Sequence, residues 1–133
     1  MFALDTNTIS YYFRGEATVV THMHALSPAH LAVPAIVAHE LRFGLMCLAP
    51  AAALPRLTAL VKLLGALRIL EFDDACAQIA ASLRARLEAQ GTPIGPHDIL
   101  IAATALHHGA TLVTRNVAEF SLQVSNWMDS LAA

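Results

Sequence analysis

Phe2-Ala3-Leu4-Asp5-Thr6-Asn7-Thr8 sets an apolar run directly against an acid and three further helix-capping side chains. The apolar triplet reads as a short buried strand. Asp5-Thr6-Asn7-Thr8 supplies caps for a helix over about 9–13, which Gly15 stops. A strand that runs straight into a helix, with a carboxylate at the junction, is the unit that sets the fold class. Working outward, the unit recurs. Leu31-Ala32-Val33 is a second strand candidate, and Pro34 starts a helix that carries Glu40. Between them a helix over about 17–25 ends at Ser27-Pro28.

Further along, Pro50 and Pro55 punctuate the chain and a helix over about 56–67 follows. Arg68-Ile69-Leu70-Glu71-Phe72 alternates as a strand does. Asp73 or Asp74 can cap a helix running to about Gln90, and Gly91-Thr92-Pro93 reads as a loop. Gly95-Pro96 opens the helix of Asp98, with Pro near its first position, and Gly109 closes it. Residues 111–114 form a strand, Asn116 caps a short helical turn, and 122–127 is a last strand. No repeat or long linker divides the 133 residues, so positions 1–133 form a single domain. Strands alternating with helices imply a mainly parallel sheet covered on both faces. In such sheets ligands bind beyond the carboxyl ends of the strands.

Composition narrows the function. Only 14% of the residues are charged and 6% are aromatic, with a net charge of −2. Broad electrostatic binding of nucleic acid is therefore disfavoured, although a local basic rim is not. No signal peptide is expected, because Asp5 interrupts the first apolar stretch. The most apolar segment, 57–67, is broken by Lys62 and is shorter than the roughly 20 residues of a membrane span. Cys47 and Cys76 share no metal-ligand spacing, and the plain expectation is two buried, reduced thiols in a cytoplasmic protein.

In so lightly charged a chain, carboxylates at the ends of apolar elements stand out. Glu40 lies four residues after Ile36 and three after Val37, on the apolar face of its helix. It would be costly there unless paired, to Arg42 for instance, or bound to a cation. Asp5 and Asp98 each have a plain structural role, as a cap and as a first-turn acid favoured by the helix dipole. Asn116 and Glu119 have the spacing of a capping box. Gathered together, such acids repel by ~4 kcal/mol per pair at ~4 Å in an effective dielectric of 20. Mg²⁺, or Mn²⁺, is the natural guest for all-oxygen ligands and suits phosphate chemistry. The histidines offer no comparable set. There is no H-E-x-x-H, and His22 with His24 and His107 with His108 read as surface pairs. Walker, G-x-S-x-G and G-x-G-x-x-G motifs are absent from the sequence.

Four segments in order carry a family resemblance: Leu4-Asp5-Thr6-Asn7; His39-Glu40-Leu41-Arg42-Phe43-Gly44; the stretch from Thr92 to Ala103 around His97-Asp98; and Leu112-Val113-Thr114-Arg115-Asn116-Val117-Ala118-Glu119-Phe120. They resemble the PIN-domain ribonucleases, specifically VapC-type toxins of type II toxin–antitoxin pairs. The resemblance implies a three-layer α/β/α sandwich and Mg²⁺-dependent cleavage of RNA, with tRNA a candidate target. It implies inhibition by a cognate antitoxin. Asp5, Glu40 and Asp98 match the three core acids, Asn116 and Glu119 the variable last part of the site, and Asn7 a polar residue that orients the first acid. The family's Pro-Gly-Leu after the final acid-Phe pair is missing here, which bears most on Glu119. Thr6, Thr114 and Arg115 are expected near the phosphate, with Arg14, Arg42 and Arg115 as a basic rim and His97 near substrate. The apolar runs at 45–48 and 57–67 suggest a homodimer face and an antitoxin groove. The competing reading is a catalytically silent PIN fold that only binds partners.

Overall fold

The structure is a computed structural model and describes residues 1–114, 124, 125 and 127. Among these residues five parallel strands form one sheet: β1 (Phe2–Leu4), β2 (Leu31–Pro34), β3 (Arg68–Leu70), β4 (Thr111–Val113) and β5 (Val124–Ser125). Their order is β3-β2-β1-β4-β5. Phe2 pairs with Leu31 on one side and Thr111 on the other, so β1 is central. All four residues of β2 are buried, as expected for a parallel strand covered on both faces.

Each of the three crossovers from β1 to β4 carries two helices. Helices α1 (Thr6–Phe13) and α2 (Ala17–Ala25) link β1 to β2; α3 (Ala35–Met46) and α4 (Pro50–Ala66) link β2 to β3; α5 (Asp74–Ala89) and α6 (Pro96–His107) link β3 to β4. The chain steps one way along the sheet from β1 to β3, then jumps back past β1 to β4. Right-handed crossovers therefore place α5 and α6 on the opposite face from the first four helices. The result is an α/β/α sandwich. Ala3, Leu4, Ala32, Val33, Leu112 and Val113 form its buried middle, with Ile9, Val37, Leu60, Leu83, Ile101 and Ala102 packed on from the helices.

Three expectations change. The helix before β3 begins at Pro50, not Arg56, and runs through Pro55. Ala51, Ala52 and Ala53 extend it backwards, and burial of Ala53, Leu60 and Leu64 holds it together despite the lost amide. Strand β3 stops at Leu70 because Asp73 already caps α5, accepting from the Cys76 amide at 3.0 Å. Cys47 is exposed, not buried; it lies just past the end of α3. No helix among the described residues is long and apolar enough to cross a membrane.

Candidate active site

The strand order reverses between β1 and β4, and their carboxyl ends flank the crevice that such a switch opens. Asp5 follows β1 at that point. Its amide donates to Val113 O at 3.3 Å, and Thr8 Oγ1 donates to the same carbonyl at 3.2 Å. Asp5 Oδ1 accepts from the Thr8 amide at 2.8 Å and so caps α1. One oxygen is thus held by the backbone, which fixes the direction of the other.

Glu40 reaches the same region from α3. It is not paired with Arg42. Thr6 Oγ1 donates to Glu40 Oε1 at 2.7 Å, and His97 Nδ1 lies 3.1 Å from Glu40 Oε2. Thr6 adjoins Asp5 in sequence and His97 adjoins Asp98. Glu40 therefore links the end of β1 to the start of α6, across 34 and 57 residues of chain. The link lies half-buried, with 26% of the Glu40 side chain exposed.

Asp98 occupies the first turn of α6, after Gly95 and Pro96. A Cβ added at Gly95 would stand 3.3 Å from Asp98 Oδ2, so glycine there leaves the carboxylate its place. Asn7 is exposed at the start of α1, and Thr114 is buried just beyond β4. Arg115, Asn116 and Glu119 lie outside the described residues.

The donor set consists of carboxylate oxygens, which suits a hard divalent cation. The three acids come from three separate elements, and Glu40, held by Thr6 and His97, joins the other two neighbourhoods. Mg²⁺ bound to such a set would keep part of its water shell. The His97 contact is what sequence reasoning missed: its place beside Asp98 was visible, but not its reach to Glu40. Among the described residues, the basic side chains that line the neighbouring cavity are Arg14 and Arg56, not Arg42.

A PIN-domain family model matches residues 2–121. The chain belongs to the PIN-domain family. The tRNA(fMet)-specific endonuclease VapC of Salmonella typhimurium is 30% identical to this PIN domain over 132 residues, which cover 95% of this chain and 97% of the relative. The toxin FitB of Neisseria gonorrhoeae is 35% identical over 126 residues, covering 90% and 91%. Among solved structures, VapBC2 of Rickettsia felis, bound to a DNA fragment from its promoter, superposes with a TM-score of 0.85 at 30% identity, covering 95% of this chain and 98% of that one. The PIN domain thus stands among VapC-type ribonucleases and toxins, enzymes that generally depend on a divalent metal.

Proposed function

We infer that this PIN domain is a VapC-type toxin, an endoribonuclease that uses Mg²⁺, with Mn²⁺ as a substitute, and is held in check by a cognate antitoxin. The observation that carries the reading is Glu40 fastened between Thr6 and His97, which draws the surroundings of Asp5 and Asp98 into one place. In the proposed site Asp5 and Asp98 hold the cation and Glu40 joins them directly or through water. When bound, the cation supplies neutralising charge and an activated water for attack on phosphorus.

The chain's own groups have distinct tasks. Thr6 fixes the rotamer of Glu40 and so is a positioning residue. His97 can hold a proton at Nδ1 beside Glu40 and faces solvent on its other side, where an RNA phosphate would approach. Asn7 orients Asp5, by its place in the family pattern. Thr114 and Arg115 contribute toward the phosphate, Thr114 by its buried position at the end of β4. Asn116 and Glu119 complete the acidic set by their place in the family pattern. With few aromatic residues, recognition rests on the shape and phosphates of the RNA, in the cytoplasm, and tRNA is the first class to try.

The antitoxin reading rests on a cavity of about 720 Å³ between α1, α3 and α4. Phe13, Leu45 and Leu48 make it apolar, Arg14 and Arg56 add positive charge, and Thr6 and Glu40 form its inner wall. An amphipathic segment seated there would abut the acids. Phe43, Met46, Leu54 and Val61 are exposed on α3 and α4 and support a homodimer face. Light scattering on the purified protein should give twice the chain mass; a strict monomer at high concentration removes that part.

Controlled expression of the wild type and Asp98→Asn, followed by mapping of new RNA 5′ ends, tests the activity. The wild type should stop growth and create discrete ends, while the folded variant should do neither. Equal cleavage by the variant would overturn the assignment of Asp98. Growth arrest by both proteins without new ends would favour a silent binding module.

A further inference from the structure

A second cluster lies at the far end of α6, about 14 Å along the helix from Asp98 at 1.5 Å per residue. Cys76, His107 and His108 each present one ligand atom, and the three atoms lie within 4.8 Å of one another. Cys76 is fully buried in the first turn of α5, His107 is exposed and His108 is half-buried. Sequence spacing hides the group, because 31 residues separate the thiol from the first imidazole and nothing marks the two ends as neighbours.

Two features distinguish this cluster from a chance meeting of side chains. Oxygen acceptors orient both rings: His108 Nε2 lies 3.0 Å from Glu71 O, within hydrogen-bond reach, and His107 Nε2 lies 3.7 Å from Asp73 Oδ2, an ion-pair contact. Asp73 is itself anchored by the Cys76 amide, which donates to Oδ1 at 3.0 Å. The second feature is the thiol: Cys76 Sγ lies 3.6 Å from Glu71 O, the same carbonyl that His108 Nε2 approaches, so thiol and imidazole are turned to one place.

We propose that Cys76, His107 and His108 form a second metal site, for a borderline cation of the Zn²⁺ class, that clamps the start of α5 to the end of α6. One thiolate and two imidazoles select Zn²⁺ and its neighbours over Mg²⁺. Tetrahedral Zn²⁺ sets ligand atoms roughly 3.3–3.6 Å apart, so side-chain shifts of about 1 Å close the site. Binding releases the Cys76 proton to solvent, and water fills the fourth position. The site neither uses nor competes with the oxygen ligands of the acidic centre.

Co²⁺ titration of the reduced full-length chain in excess Mg²⁺ tests this. One Co²⁺ per chain should bind with tetrahedral visible bands and a thiolate-to-metal charge-transfer band, both removed by equimolar Zn²⁺. Cys76→Ser should lose the charge-transfer band. His107→Gln and His108→Gln, at sites outside the core, should each weaken binding at least tenfold while the protein stays folded. Cys47→Ser should change nothing. Absence of the charge-transfer band at one equivalent overturns the proposal. So does a band that survives in the double histidine variant or disappears in Cys47→Ser. Either failure leaves the ribonuclease reading intact, since that rests on other residues.

Discussion

The Thr6 hydroxyl sits 2.7 Å from Glu40 Oε1, a short bond to a charged acceptor. Bonds of this type contribute about 1.5–3 kcal/mol. Its main effect here is to choose one Glu40 rotamer out of several. Thr6→Val keeps the side-chain shape and removes the donor, so Glu40 gains freedom where the proposed site needs it fixed. Cleavage should fall roughly tenfold, equivalent to about 1.4 kcal/mol in the barrier. Thr6→Ser should restore most of it. Single-turnover rates at saturating Mg²⁺ check this, and equal rates for Thr6→Val and wild type would show that Glu40 needs no help. A parallel test uses Gly95→Ala. The new Cβ, 3.3 Å from Asp98 Oδ2, must push the carboxylate by a few tenths of an ångström, so activity should drop several-fold.

At the scale of elements, Asp5 does two things at once. It ends β1 and caps α1 through the Thr8 amide. Asparagine caps about as well as aspartate, whereas alanine does not, at a cost of about 1 kcal/mol. Asp5→Asn should therefore keep its denaturation midpoint and lose cleavage, while Asp5→Ala should lose both. Urea melts beside cleavage assays separate the two roles; a fully active Asp5→Asn would reduce Asp5 to a cap. Caps and breakers are also why much of the fold was legible in the sequence. β1, β2 and α6 are bounded by Asp5, Pro34 and Gly95-Pro96, local signals that act within a few residues. The start of α4 was not, because Pro55 reads as a stop while packing of Leu60 and Leu64 carries the helix through it. Long-range contacts were the least legible. The acids could be picked out by their place on apolar elements. The Thr6–Glu40–His97 link and the meeting of Cys76 with His107 and His108 depend on how helices cross, which no local pattern records.

At the scale of the whole molecule, the three acids come from distant parts of the chain: the end of the central strand, the third helix and the start of the sixth. A cation that holds all three joins elements from both faces of the sandwich, and the unfolded chain cannot reproduce that arrangement. Binding must then stabilise the fold by linkage. At one hundred times its dissociation constant the ion should add about 2.7 kcal/mol. For a domain of this size that raises Tm by roughly 8–12 °C. Asp98→Asn removes one anionic ligand; relief of like-charge repulsion offsets the loss of its helix-dipole contact in the first turn of α6, so its metal-free Tm should lie close to that of the wild type. Its rise with Mg²⁺ should be small. Scanning calorimetry with and without Mg²⁺ for both proteins decides the matter. An equal rise in both would mean that the ion binds elsewhere on the surface, and no rise in the wild type would mean that the acids do not act as one site.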